Sequence, residues 1–388
     1  MDTEILSILK KVSEYYDLDG SVADYSRCDS GHINDTYKVK IVKDDGKYEY
    51  YIFQRINDYV FKEPDKVMHN IKIISMHLKS KKTKKCDCRI IEYLDNKNGS
   101  NYTQCEYGYW RVSPYVKNSV TFETVENPKI LRSAGYAFGR FQWLLSDLPM
   151  DELYETIPNF HNTKKRLKDL FDIAALDPVG RAKEVEADIK FFEDNREIAS
   201  KLIDMQESGL LPLRVTHNDT KYNNILMDKD TCKPLCVIDL DTVMPGLSAY
   251  DFGDAIRFAA STAVEDETDL SKVALDMEKF EEFTKGFISA SKGFLTKNEI
   301  DTLALGAIVI TIELASRFLA DHINGDKYFR IHRPNHNLDR ARCQIKLACD
   351  MISKYDQMCN IVKKYSRQMA NYTKSTRSFR LSNVSNAL

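Results

Sequence analysis

The chain has 388 residues, 43% of them hydrophobic and 29% charged, with a formal net charge of −2. That length buries a sizeable core in one large or two modest domains, and that charge gives no general affinity for nucleic acid. Nine cysteines without a framework of spacings fit reduced thiols in a cytoplasmic protein, since Cys86 and Cys88 stand one residue too close for the usual zinc or redox pair.

Taken in chain order, Ile5, Leu6, Ile8, Leu9 and Val12 form a helical stripe over residues 4–16. The run MDTEILSILKK there lacks the apolar core and cleavage site of a secretory signal. In Cys28–Ile41, Gly31 separates two strand-like segments, and Tyr37, Val39 and Ile41 alternate with polar residues. Tyr48–Ile56 reads as a third strand, and Asp65–Leu78 as a helix with Val67, Ile71, Ile74 and Leu78 on one face. The five lysines of Lys79–Lys85 read as a solvated loop, and Cys88–Tyr93 and Gly108–Val116 as the next strands. From Asn127 the apolar spacing turns helical, first through Leu145 and then over 163–175, 180–207, 253–263, 275–290, 297–322 and 338–366. The polar tail 366–388 is expected to fray or lie on the surface. Leu303–Ile312, the most apolar window, is about half of a membrane span and is followed by Glu313, so no membrane partner is expected. Strands first, then helices with one embedded hairpin, predict a two-lobed α+β fold with a cleft. The expected division is an N-lobe over 1–113, a hinge and linker over 114–126, and a C-lobe over 127–388.

The hairpin carries the chemistry: VTHNDTKYNNILMDKDTCKPLCVIDLDTVMPGLSAYDFGD, from Val215 to Asp254. His217-x-Asp219 is followed by Asn224, then by an apolar strand ending at Asp239. Metal-assisted phosphoryl transfer needs one carboxylate to orient the attacking hydroxyl, and an amide oxygen with a second carboxylate to hold magnesium against a triphosphate. Mg2+ favours hard oxygen ligands and keeps some waters, so two protein ligands suffice. Asp219 is the candidate base, and Asn224 and Asp239 the metal ligands. Asp241 shares the face of Asp239 on an extended chain, where it touches a second magnesium or only a nearby donor. Lys221 either reaches the γ-phosphate or is a solvated lysine. Asp251-Phe252-Gly253 lies 27 positions after Asn224, whereas Asp239 lies 15 after it and ends a strand. Asp251 and Asp254 therefore read as capping acids before a helix that brace the catalytic loop.

These motifs resemble the aminoglycoside phosphotransferase family of small-molecule kinases, which shares the protein-kinase fold. The string HNDTKYNNIL, VIDLDTVMPG and YDFGDAIRF is, within that family, most similar to N-acetylhexosamine 1-kinases, and the likeness runs in patches from Gly31 to Leu347. The resemblance implies ATP and Mg2+ as cofactors and a sugar as the small-molecule substrate. It matches GHINDTY to a phosphate loop, where Gly31, His32, Asn34 and Thr36 face phosphate unless the segment is an ordinary polar turn. No lysine stands on the third strand, so Arg55 either supplies the phosphate cation or is a surface charge. The following helix has no glutamate to pair with it. Pro114, Tyr115 and Val116 fall where adenine docks in such a fold, or else form an edge strand. Glu313–Leu347 resembles the matching segment of the hexosamine kinases. There Arg317 supplies planar donors for vicinal hydroxyls and Tyr328 an aromatic surface, presenting the anomeric hydroxyl to Asp219. The rival reading is a simple helical pair of Glu313 with Arg317. The alternatives in function are a kinase of another small alcohol (aminoglycoside, choline or homoserine) and a nucleotide-binding pseudokinase.

Overall fold

The computed structural model describes residues 2–28, 33–81, 91–122 and 127–385, with side chains for residues 3–371 of these. The expected phosphate-loop residues Gly31 and His32 and the pair Cys86 and Cys88 lie outside the described residues. Two compact units form. The first comprises Met1–Thr121, Leu148–Ile157 and Leu226–Met244; the second comprises Phe122–Asp147, Pro158–Ile225 and Pro245–Leu388. The first unit thus takes in two segments beyond the 1–113 span expected for an N-lobe.

In the first unit, helix α1 (Asp2–Ser13) leads to strands β1 (Ser21–Arg27), β2 (Asp35–Val42) and β3 (Tyr48–Ile56). Helix α2 (Pro64–Ser80) and strands β4 (Thr103–Cys105) and β5 (Gly108–Pro114) follow. The strands make one antiparallel sheet in the order β1-β2-β3-β5-β4. Alternation sends Tyr37, Val39, Ile41, Phe53, Trp110 and Val112 to one face, where they bury Leu9, Val12 and Tyr16 from the N-terminal helical region. Each such fully buried side chain contributes roughly 1.5–3 kcal/mol. The strand expected over Cys88–Tyr93 is not seen in its described part; Ile91–Asn96 is irregular, although Leu94 N–H donates to Val112 O.

The second unit is helical: α3 (Pro128–Leu144), α4 (Thr163–Leu176), α5 (Glu186–Asp194), α6 (Arg196–Glu207), α7 (Ser248–Ala259), α8 (Met277–Ser291), α9 (Lys297–Ile323), α10 (His336–Ser353) and α11 (Tyr355–Ser385). Two long expected helices are each broken once, at Asn195, whose amide caps Phe191 O, and at Lys354. The tail expected to fray is helical to Ser385. α9 starts at a capping box, Thr296 with Glu299, and is long and apolar enough to cross a membrane, yet it is the buried core helix of its unit. α7 lies against it backbone to backbone. A Cβ on Gly253 would stand 2.3 Å from Gly306 O, and one on Gly306 would stand 2.1 Å from Ala249 O. The glycine after Asp251-Phe252 is thus a helix-packing residue.

Candidate active site

In the second unit a short strand, Arg214–Thr216, runs into the loop that carries Asp219. Asn218 turns the chain with a left-handed φ of 65°, a conformation Asn tolerates. Its Oδ1 accepts from Thr216 Oγ1 at 2.9 Å, and a Cβ on Gly246 would come within 2.7 Å of that oxygen and 2.3 Å of Thr216 Oγ1. Glycine is required at 246 for the loop to close.

Asp251 holds this loop from within α7. Its Oδ2 accepts from the His217 N–H at 2.9 Å and Gln142 Nε2 at 2.7 Å, and its Oδ1 from the Asn218 N–H at 2.7 Å. Thr220 Oγ1 donates to the Asp251 carbonyl at 2.5 Å. Asp251 and Asp254 were expected before a helix as its caps. Both lie inside α7 instead, and the N–H groups that Asp251 caps belong to the loop that carries Asp219. Burial pushes the Asp251 carboxyl above the ordinary range against the pull of His217 and of these hydrogen bonds. Asp251→Ala is expected to lower stability by at least about 1–3 kcal/mol, the cost of one buried donor left unsatisfied, with the loss read from urea denaturation.

Asp219 sits partly buried. Its Oδ1 is 3.0 Å from Lys221 Nζ; Asn224 Nδ2 donates to its Oδ2 at 3.1 Å and to its backbone carbonyl at 2.8 Å. Its N–H donates to His217 Nδ1 at 3.3 Å. Burial alone would raise the Asp219 carboxyl, but Lys221, His217 and Asn224 hold it below the usual carboxylate range. Lys221 is held above the ordinary lysine value, chiefly by Asp219. The lysine therefore forms an ion pair with the candidate base. The amide nitrogen of Asn224 is taken up by Asp219, which leaves the amide oxygen as the atom of Asn224 expected to ligate a metal.

Behind the loop stands His161, which the sequence reading missed. Its Nε2 is 3.0 Å from Asn218 O and its Nδ1 3.0 Å from Glu313 Oε1. Both partners are acceptors, so both ring nitrogens carry protons. Burial works against that charge, but Glu313 and the Asn218 carbonyl hold His161 above the ordinary histidine value. Glu313 also accepts from Thr163 Oγ1 at 3.0 Å. The rival reading, an i, i+4 pair of Glu313 with Arg317, is not what forms; Glu313 pairs with His161 instead.

The Arg317 guanidinium lies over three rings, 5.6 Å from Phe160, 5.9 Å from Tyr328 and 5.5 Å from Phe329. Among the described residues it makes no hydrogen bond or ion pair, so its fork of donors is open to a ligand. Tyr328 is 58% exposed. Arg166 stands close enough that its own guanidinium is held below the usual arginine value by burial and by Arg317, while its Nη2 donates to Phe160 O at 3.1 Å.

In the first unit, Asp239 follows the strand Pro234–Val237 and has φ 59° and ψ 59°. Left-handed backbone at a non-glycine residue costs on the order of 1–3 kcal/mol and concentrates at functional sites. Asp241, two residues on, was expected at a second magnesium or at a nearby donor, and the structure gives it donors: its oxygens lie 2.5 and 3.0 Å from the Arg111 guanidinium, and Oδ2 also accepts from Asn34 Nδ2 at 2.7 Å. Arg111 is fully buried, and its Nε donates to Gln54 Oε1 at 3.1 Å.

Of the two readings of Arg55, phosphate cation or surface charge, the geometry favours the second. Gln54 pairs with Arg111 across β3 and β5, so strand alternation puts Arg55 on the opposite face, exposed and packed by Gly108. The buried guanidinium whose field reaches Asp239 is that of Arg111. Asn34 and Thr36, expected as phosphate donors, are taken up within the sheet. Asn34 bridges Asp241 and the Asn57 N–H, and Thr36 Oγ1 accepts from Gln54 Nε2 at 3.0 Å. Pro114 closes β5, the Tyr115 N–H donates to Tyr50 O at 3.0 Å, and Val116 O accepts from Ser119 Oγ at 2.6 Å. Lys38 Nζ lies over the Tyr115 ring at 4.2 Å.

Residues 24–278 match the model of a family described as phosphotransferase enzymes. Among solved structures, the chain is similar to a microcompartment-associated aminopropanol kinase, with a TM-score of 0.55 and 15% identity over 94% of this chain and 98% of that one. It is also similar to an amicoumacin kinase in complex with AMP-PNP and Ca2+, with a TM-score of 0.52 and 13% identity over 89% and 96%. A choline kinase from Cryptosporidium parvum gives a TM-score of 0.50 and 13% identity over 96% and 97%.

Proposed function

The chain belongs to the phosphotransferase enzyme family, and from that premise we propose that it phosphorylates the anomeric hydroxyl of an N-acetylhexosamine, giving the sugar 1-phosphate. At the coarser level it is a small-molecule kinase with an alcohol acceptor, dependent on ATP and a divalent metal. The observation that carries the sugar reading is Arg317. Its guanidinium is steadied by three aromatic rings and has no protein hydrogen-bond partner among the described residues. Planar multidentate donors beside exposed aromatic surface suit vicinal hydroxyls and the apolar face of a pyranose.

Charge favours the same reading over the amine-bearing acceptors named for the structural neighbours. Arg317, Arg166 and a protonated His161 face one carboxylate, Glu313, which His161 and Thr163 already occupy. A quaternary or primary ammonium would meet like charge there, whereas a neutral sugar does not.

In this reading the ionised Asp219 accepts the hydrogen bond of the acceptor hydroxyl, orients it, and takes its proton as the oxygen–γ-phosphorus bond forms and the bond from γ-phosphorus to the bridging oxygen breaks, releasing ADP. Lys221 keeps Asp219 ionised. A bound divalent metal would supply charge neutralisation at the phosphates. The reading assigns it to Asn224 and Asp239, whose hard oxygens suit Mg2+. The left-handed backbone at Asp239 fits such a demand.

Free sugars offered with ATP and Mg2+, followed by phosphorus NMR, test the assignment. An anomeric phosphate of N-acetylglucosamine or N-acetylgalactosamine is expected, and phosphorylation of the 6-hydroxyl alone would overturn it. Arg317→Ala should raise the sugar KM or lower kcat while ATP binding stays intact. Unchanged sugar kinetics in that variant would count against the pocket.

A further inference from the structure

Asp321 lies two residues before the end of α9, where the helix dipole disfavours an acid. Its carboxylate is nonetheless buried and has four donors. Oδ1 accepts from the N–H groups of Lys327 at 2.9 Å and Tyr328 at 2.8 Å. Oδ2 accepts from the Phe329 N–H and from Asn337 Nδ2, both at 2.9 Å. Three consecutive backbone N–H groups thus converge on one anion, an arrangement that backbone nests reserve for strong acceptors.

The far side of the loop is fastened in the same way. Asp326, with a left-handed φ of 59°, donates its N–H to Asp321 O at 2.8 Å. Its carboxylate lies between Arg181 Nη1 at 2.7 Å and Asn337 Nδ2 at 2.9 Å. The segment so tied carries Tyr328 and Phe329, two of the three rings around Arg317. Without the internal anion, this loop would present its N–H groups to water and its rings would have no fixed place.

We propose that Asp321 is the positioning residue for acceptor selectivity: it holds Tyr328 and Phe329 preformed around Arg317 and does not touch the substrate itself. The inference rests on the acceptor site proposed above. Preorganisation of this kind reduces the ordering cost of binding and is felt by one substrate only.

The test is Asp321→Asn in the full-length enzyme, with Arg317→Ala beside it. Asparagine keeps the size but turns a second donor toward Phe329 N–H or Asn337. The expected result is a rise of about tenfold or more in the N-acetylhexosamine KM, with the KM for ATP within about twofold of wild type. The ratio of kcat/KM for N-acetylglucosamine over glucose should fall, and the amides of residues 327–329 should lose hydrogen-exchange protection. Asp321→Glu, which keeps the charge, should recover part of that protection and of the KM. If Arg317→Ala disturbs acceptor kinetics while a folded Asp321→Asn leaves KM and selectivity unchanged, this inference is wrong and the acceptor site stands. If both variants leave the acceptor kinetics untouched, the acceptor site itself is wrong. Equal losses toward ATP and sugar, or failure of both Asp321 variants to fold, would assign Asp321 to general stability and overturn the proposal.

Discussion

Asp219→Ala is expected to lower turnover by about 10²–10⁴-fold, the range for losing a positioned acid–base group. The fold should survive, because the Asp219 side chain is only partly buried and its neighbours Lys221 and Asn224 reach solvent or the loop backbone without it. The pH profile adds a sign. The Asp219 carboxyl is held below the usual carboxylate range, so its active form persists as pH falls through that range. In the wild type, kcat/KM should therefore stay level through the ordinary carboxylate pKa and drop only below it. Lys221→Met removes the nearest cation, so the Asp219 pKa should rise and the acid limb should move to higher pH. Steady-state rates between about pH 3.5 and 8 resolve the two profiles. A near-normal Asp219→Ala enzyme would remove the base assignment, and an unmoved acid limb in Lys221→Met would remove the lysine's part in it.

The local geometry of the candidate loop was legible because its residues lie within a short stretch. His217, Asp219 and Asn224 occupy eight consecutive positions, and the hydrogen bonds of Asn224 to Asp219 close over five of them. Alternation likewise located the apolar face of β2 in Tyr37, Val39 and Ile41, all three buried. What stayed hidden is non-local. Nothing in the spacing says that Arg111 stands opposite Gln54 across β3 and β5, because register joins residues 57 positions apart. The same gap left the reading of Arg55 open. The guanidinium buried on the other face of the third strand belongs to the neighbouring strand, at Arg111, and it pairs with Asp241. Distance along the chain set Asp251 apart from the expected metal motif, and its bracing of the loop comes from inside the helix that starts at Ser248, where a cap before the helix was expected. His161 and Asp321 carry no motif at all. Their importance lies in which backbone groups converge on them, and a sequence does not print convergence.

Arg111→Leu is expected to cost about 3–5 kcal/mol, because it leaves the Asp241 carboxylate buried without its counter-charge. Arg111 is fully buried and Asp241 is 2% exposed, so water cannot take the place of the guanidinium. The remaining partners of Asp241 are too few. Asn34 donates one hydrogen bond to it, while Thr156 Oγ1 reaches only its backbone carbonyl, at 2.9 Å. The loss should extend to the turn Leu240–Thr242 that follows Asp239, which α2 holds from the other side through Asn70 Nδ2 and Val243 O at 3.1 Å. The double variant Arg111→Leu with Asp241→Leu removes both charges and should recover a large part of the stability, since two buried charges cost desolvation that two apolar groups do not. Recovery should stop short of complete, because Gln54 Oε1 loses a donor and Asn34 Nδ2 loses its acceptor. Urea denaturation of the four proteins closes the cycle, with a coupling of several kcal/mol expected between the two positions. A single variant within about 1 kcal/mol of wild type would show that the pair is solvated in solution and that Arg111 does not anchor the segment carrying Asp239.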